Sequence, residues 1–207
     1  MSPRPYRLGQ RQAVTEQTRI RILAAARTLL MAPDGFSSFS IDAVARQADV
    51  ARMTVYHQFG SKVGLLEALC DSLAFSGGMQ QIATAFRQSD PLDVLNQYIL
   101  VFSHFWDVDR LVIRRLRALA ALDPDFEQVI RARDERRRQG VRVIVQRFVE
   151  RHMLSSAQSS EEIVDVLFTL IGFETFDTLA GPARSIEEIA SLVCRLARAA
   201  LNLDNRK

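Results

Sequence analysis

The chain has 207 residues, 48% of them hydrophobic and 25% charged, with a net charge of +3. That balance supplies apolar surface for a packed core and excludes an intrinsically disordered chain. Arg, Asp, Gln or His interrupts every apolar run before it reaches membrane-spanning length, and no apolar segment with a cleavage site opens the chain, so a cytoplasmic location without membrane contact is expected.

The charge is unevenly spread. Up to Lys62 nine arginines and lysines face four carboxylates, whereas the remainder carries 18 basic and 20 acidic residues. A basic head on a slightly acidic body suits a head that meets phosphate. Residues 1–14, with Pro3, Pro5, Gly9 and three arginines, show no periodicity and read as a flexible basic arm. A first helix is expected from Thr15 to Met31, burying Ile22, Ala25, Ala26, Leu29 and Leu30. Pro33 and Gly35 end it, and Phe36 and Phe39 plug the base of the head.

The stretch Ser40–Lys62, SIDAVARQADVARMTVYHQFGSK, reads as two short helices joined by a tight turn. Ser40 can cap the first helix, and Ile41, Val44, Ala45 and Ala48 give it a small apolar face. Asp49 stands in the turn, where Asp is one of the few non-glycine residues that tolerates a left-handed backbone. The second helix, Ala51 to Gln58, leaves Val50, Val55 and Phe59 for burial and turns Arg52, Met53, Thr54, Tyr56, His57 and Gln58 outward. A helix that enters the major groove needs such donors and acceptors at its N-terminal end.

Ser61 and Lys62 open a further helix to about Phe75. A cation there opposes the helix dipole, and a nearby phosphate would reverse that penalty. Besides Lys207, Lys62 is the only lysine in the chain.

These residues resemble the tetracycline-repressor (TetR) family of bacterial transcriptional regulators. The resemblance spans about fifty residues, through LAAARTLL, DGF, SIDAVARQADV, MTVYHQFGSK and LLEAL. It implies that Lys62 contacts phosphate. Asp49 departs from the family's usual glycine, Ala51 from a common serine, Gln58 from a common histidine and Val63 from a frequent acid. The DNA-contacting set expected is Ser40, Arg52, Met53, Thr54, Tyr56, His57, Gln58 and Lys62. Arg52, Met53 and Thr54 are expected at base edges, and Ser40, Tyr56 and Lys62 at phosphates.

Beyond the head, Gly77-Gly78 breaks the chain, a short amphipathic segment covers Met79 to Arg87, and Asp90-Pro91 starts a helix to residue 107. Helices are expected over 109–122, 124–152, 160–180 and 185–202, the last two with starts at Ser160 and Ser185. The arginine run from Arg131 to Arg142 reads as a solvated helix face. The fold class expected is all-α, with about nine helices: a three-helix helix-turn-helix head over 15–62 and a helical body over 63–207.

The resemblance implies that the body binds an effector and dimerises through its last two helices, whose apolar residues exceed what one core face absorbs. A palindromic DNA operator needs two heads, which favours a homodimer. Leu170, Phe173, Asp177, Leu192, Leu196 and Ala199 are the interface candidates. Aromatics cluster at Tyr98–Trp106 and Phe168–Phe176, so Phe102, Phe105, Trp106, Arg114, Phe168, Phe173 and Glu174 are candidates for a small, largely apolar effector. The alternative for aromatics at this spacing is plain core.

Three histidines and two distant cysteines, Cys70 and Cys194, form no catalytic or metal-ligand spacing, and no phosphate loop is present. Neither enzyme activity, metal nor cofactor is expected. The reading is a DNA-binding regulator, a repressor released by its effector. The alternative is a constitutive or architectural DNA-binding protein without one.

Overall fold

The computed structural model describes residues 4–34, 37, 39–154 and 159–202, with side chains from residue 13 onward. These residues form eleven α-helices, one 3-10 turn and no strand. The expected nine becomes eleven through two short helices, Ile82–Ala85 and Phe173–Ala180.

Helix α1 runs from Arg4 to Met31, so residues 4–14, expected to be an arm, are helical. Pro5 falls in the first turn, where a missing N–H leaves no intrahelical bond unmade. Helix α2 spans Ile41–Gln47, α3 Arg52–Phe59 and α4 Lys62–Ser76. Ser40 caps α2, its hydroxyl accepting from Ala43 N at 3.2 Å. Asp49 holds the turn at φ +50°, the left-handed geometry expected of it. Phe39 is buried as expected, whereas Gly35 and Phe36 lie outside the described residues.

The 3-10 turn Met79–Gln81 and α5, Ile82–Ala85, follow Gly78, whose φ of +72° ends the run. Helix α6 spans Pro91–Val108 and starts at Asp90, whose carboxylate accepts from Leu92 N at 2.8 Å. Then come α7 Arg110–Ala120, α8 Pro124–Glu150, α9 Ser160–Leu170, α10 Phe173–Ala180 and α11 Ile186–Ala200. The helix expected over 160–180 is broken at Gly172, which has extended backbone and caps α10. A Cβ at Gly172 would stand 3.2 Å from the Thr169 carbonyl, so a side chain would crowd this break. Helix α9 begins with Ser159 as cap, one residue before the expected Ser160; Ser185 caps α11 as expected.

The chain divides into two compact units. The first takes the described residues of Met1–Ser72 with Leu111–Glu127, the second those of Leu73–Arg110 with Gln128–Lys207. In the first, Ile22, Ala26, Leu30, Val44, Val55, Leu65 and Leu66 are almost wholly buried. Arg115 reaches the C-terminal end of α1, its Nη1 donating to the carbonyls of Leu30 and Ala32. A cation at a helix C-terminus meets both the orphan carbonyls and the negative end of the dipole, which ties residues 111–127 to the head.

In the second unit α6 packs on α11, and α9 and α10 pack on α11. The Tyr98 hydroxyl donates to the Arg137 carbonyl at 3.0 Å. It fits because position 140 is glycine: a Cβ there would stand 2.3 Å from that oxygen. Burial pushes the Tyr98 phenol well above its usual range, Arg137 opposing this only in part. No described helix is long and apolar enough to cross a membrane.

Candidate nucleic-acid interface

Helix α3 offers no side-chain cap at its start, and its first three residues, Arg52, Met53 and Thr54, lead into a surface that the core does not use. Arg52 and Met53 are exposed, Met53 to 60%, while Val55 behind them is fully buried. An exposed methionine at that level has no packing reason on the first unit. It is free to meet the methyl and ring edges of bases.

Arg52 is held in place. Its Nη1 lies 3.3 Å from Asp42 Oδ2, its Nη2 donates to the Tyr56 hydroxyl at 3.2 Å, and its guanidinium carbon stands 5.5 Å from the centre of the Tyr56 ring. The bond to Tyr56, with the Asp42 carboxylate second, raises the Arg52 pKa, so the guanidinium stays charged. Tyr56 is half-buried and His57 exposed. Gln58 turns the other way, its amide donating to the Thr15 carbonyl in α1 at 3.5 Å. Arg19 of α1 closes the same corner, lying 4.6 Å from the Phe59 ring centre and donating to the Gln58 carbonyl at 3.4 Å.

Between α3 and α4 the chain turns within two residues, Gly60 and Ser61. The Ser61 hydroxyl caps α4 by accepting from Gly64 N at 3.0 Å. A Cβ on Gly64 would lie 2.1 Å from the Phe59 carbonyl oxygen, so α4 starts in direct contact with the end of α3. Lys62, its side chain 40% exposed, thereby starts beside the end of α3 and faces Asp123 Oδ2 at 4.0 Å. The other Asp123 oxygen accepts from Phe126 N at 3.2 Å and caps α8.

The first unit thus brings Ser40, Arg52, Met53, Thr54, Tyr56, His57 and Lys62 onto α2, α3 and the start of α4. Asp42, Gly64, Arg115 and Asp123 were missed by sequence reasoning. Their partners lie at sequence separations that carry no periodic signal; only the acid in the first turn of α2 was readable as a charge placed near α3.

Residues 22–69 match the family model described as bacterial regulatory proteins, tetR family. The head therefore carries the domain that this family model describes. A comparison with curated proteins finds no match. Among solved structures, a TetR transcription regulator from Haloarcula marismortui aligns over 90% of this chain and 97% of its own, with 18% identity and a TM-score of 0.70. NalD of Pseudomonas aeruginosa, described as the secondary repressor of the MexAB-OprM multidrug efflux pump, aligns over 90% and 98% with 23% identity and a TM-score of 0.68. The TetR-family regulator PfmR of Thermus thermophilus covers 90% of this chain and 100% of its own at 23% identity, TM-score 0.62. These likenesses show a shared fold across nearly the whole chain.

In the second unit the expected effector residues form an aromatic core. Trp106 lies 4.5 Å from Phe105, 5.7 Å from Phe102 and 5.6 Å from Phe173 between ring centres. Its indole N–H donates to the Ile171 carbonyl at 3.1 Å. Phe168 is half-buried and Glu174 exposed, whereas Arg114 is exposed and belongs to the first unit. Arg137 corrects the reading of the arginine run as wholly solvated: it is buried, 4.3 Å from the Phe168 ring centre and 3.3 Å from Asp134. A ring face and a carboxylate replace the water that the guanidinium gives up. A groove of about 450 Å³ between α8 and α9 is lined by Gln139, Arg142, Gln146 and Val164 and includes none of the expected effector residues.

Of the interface candidates, Leu196 and Ala199 are exposed and Leu170 and Leu192 half-buried. Phe173 is internal to the protomer. Asp177 is engaged within its own chain by Arg110, Nε to Oδ1 at 2.5 Å. No group of three or more metal-ligating side chains is found among the described residues.

Proposed function

We propose that the chain is a cytoplasmic, homodimeric transcriptional repressor that reads a palindromic operator through its first unit and is released by a small, largely apolar effector bound in the second. It acts by binding and not by catalysis. The observation that carries the reading is the exposed start of α3, with Arg52 and Met53 presented to solvent, between the starts of α2 and α4. Ser40, Tyr56 and Lys62 take phosphates, and Arg52, Met53 and Thr54 take base edges. His57 adds a donor along the same helix, and Gln58 reaches DNA only by leaving Thr15.

Repression is supported by the likeness to NalD, itself described as a repressor. The effector reading rests on the Phe102–Phe105–Trp106–Phe173 cluster, whose large rings must separate to admit a ligand. Phe168 and Glu174 complete that candidate site, whereas Arg114 belongs to the first unit and is left out of it. Only differential affinity for two arrangements of the body can move the heads, and tenfold release corresponds to about 1.4 kcal/mol of coupling.

The test is operator selection from random duplexes, followed by a thermal-shift screen of apolar compounds against the full chain. Each hit is then titrated with and without operator. Reciprocal weakening of DNA and effector supports the repressor. Hits that bind but leave operator affinity unchanged identify a constitutive DNA-binding protein, and failure to discriminate any selected duplex removes the reading altogether.

A further inference from the structure

We infer that Asp42 is a specificity-determining positioning residue that presets Arg52, together with Tyr56, to read a guanine in each operator half-site. The inference rests on the reading of the first unit as a DNA reader and names what one of its side chains recognises.

The geometry is a bracket. Asp42 lies in the first turn of α2, Arg52 opens α3, and Tyr56 stands one turn further along α3. Asp42 takes Nη1 at 3.3 Å and Tyr56 takes Nη2 at 3.2 Å. The tyrosine ring face limits guanidinium motion on one side, at 5.5 Å from its centre. A guanidinium carries five N–H donors in a rigid fork, so two contacts leave three. Two of those suffice for the paired acceptors O6 and N7 of guanine in the major groove; adenine presents a donor where guanine has O6, and the pyrimidines lack the pair.

An arginine side chain on the surface samples many rotamers, and fixing it on DNA costs entropy. The bracket imposes much of that ordering before DNA arrives. It also disfavours the alternative in which Arg52 swings to a phosphate, because the guanidinium would have to leave a carboxylate for it. Sequence discrimination gains and indiscriminate binding loses. Tyr56 still has its own O–H to donate to a phosphate while accepting from Arg52, so its two roles are compatible.

A different role for Asp42 is a charge that merely repels DNA. The two roles differ in one readout, the ratio of affinities. The experiment is fluorescence anisotropy of the full chain on the selected operator and on duplexes with each conserved G·C pair replaced by A·T. For the wild type, one guanine per half-site should be worth roughly 5- to 150-fold, the range of a bidentate contact. Asp42→Asn keeps the size and should cut that ratio to within about threefold while binding to scrambled DNA stays level or rises. Arg52→Lys keeps the charge but not the fork and should cut the ratio equally. In an Arg52→Ala background Asp42→Asn should change the ratio no further.

The inference is overturned if Asp42→Asn raises affinity for all duplexes by one common factor with the ratio intact. It is overturned as well if no guanine is required by a wild type that does discriminate its operator. A wild type that binds all duplexes alike overturns the DNA-reading function itself. Thermal unfolding of each variant, and the Arg52→Lys result, keep the outcome decisive if Asp42→Asn weakens α2.

Discussion

Lys62 and Asp123 face each other across 4.0 Å, and Asp123 caps helix α8 with its other oxygen. The lysine proposed to meet a DNA phosphate therefore already has an anionic neighbour in the same unit. Lys62→Ala should weaken binding to all duplexes alike and lower the salt slope by about one unit. Asp123→Asn retains a good capping residue, removes the competing charge and should tighten binding a few-fold, since exposed pairs are worth up to about 1 kcal/mol. Anisotropy at several salt concentrations reads both, and the Asp123→Asn gain should shrink in a Lys62→Ala background.

Gly140→Ala places a methyl 2.3 Å from the Tyr98 hydroxyl. Overpacking typically costs ~1–3 kcal/mol, against ~1 kcal/mol gained in helix propensity, so the net expected is a loss of up to about 2 kcal/mol. Urea unfolding monitored by circular dichroism gives the number. The loss should be smaller when Tyr98→Phe is also present.

Tyr98 predicts an alkaline limit. Its folded-state pKa is raised by burial, so the native state holds the proton at a pH where the unfolded chain releases it. Stability from this group is fully present below about pH 10, the unfolded value, and is lost as pH climbs towards the raised folded value. The urea midpoint should fall from about pH 10 upward, and Tyr98→Phe should flatten that part of the curve while losing about 1 kcal/mol at neutral pH for the missing bond to Arg137.

Leu196 on α11 is 39% exposed and Val166 on α9 is 44% exposed. If these helices pair between subunits, Leu196→Glu should give a monomer with unchanged helical circular dichroism. Sedimentation at micromolar concentration measures it; a wild type that sediments as a monomer contradicts the dimer. Phe173 is a poor probe of the same question, because it is buried against Trp106 and a charge there would disturb the protomer.

The head was legible in detail because its signals are local. Ser40 as cap and Asp49 in a left-handed turn each follow from one or two residues and their backbone preferences. The start of helix α1 is hidden in the sequence because Pro5 and Gly9 look like breakers, although a proline in the first turn breaks nothing. The break at Gly172 was hidden by a continuous apolar pattern on both sides. Arg137 was hidden among neighbours of the same type, and its burial depends on Phe168, some thirty residues away in the chain. The Asp42–Arg52 contact is likewise tertiary: composition shows both charges, but only the turn at Asp49 makes them meet.

The close approach at Gly64 has a consequence for what kind of DNA the head accepts. With the first turn of α4 seated on the Phe59 carbonyl, α3 and the backbone at Lys62 keep a fixed spacing, which under the proposed function sets the span between base and phosphate contacts. A duplex whose groove is too narrow or too wide for that span must itself deform, at a free-energy cost that depends on the flexibility of its steps. Base pairs that no side chain touches then influence affinity through their stiffness. Enlarging residue 64 would alter which duplex shapes fit before it altered which bases are read.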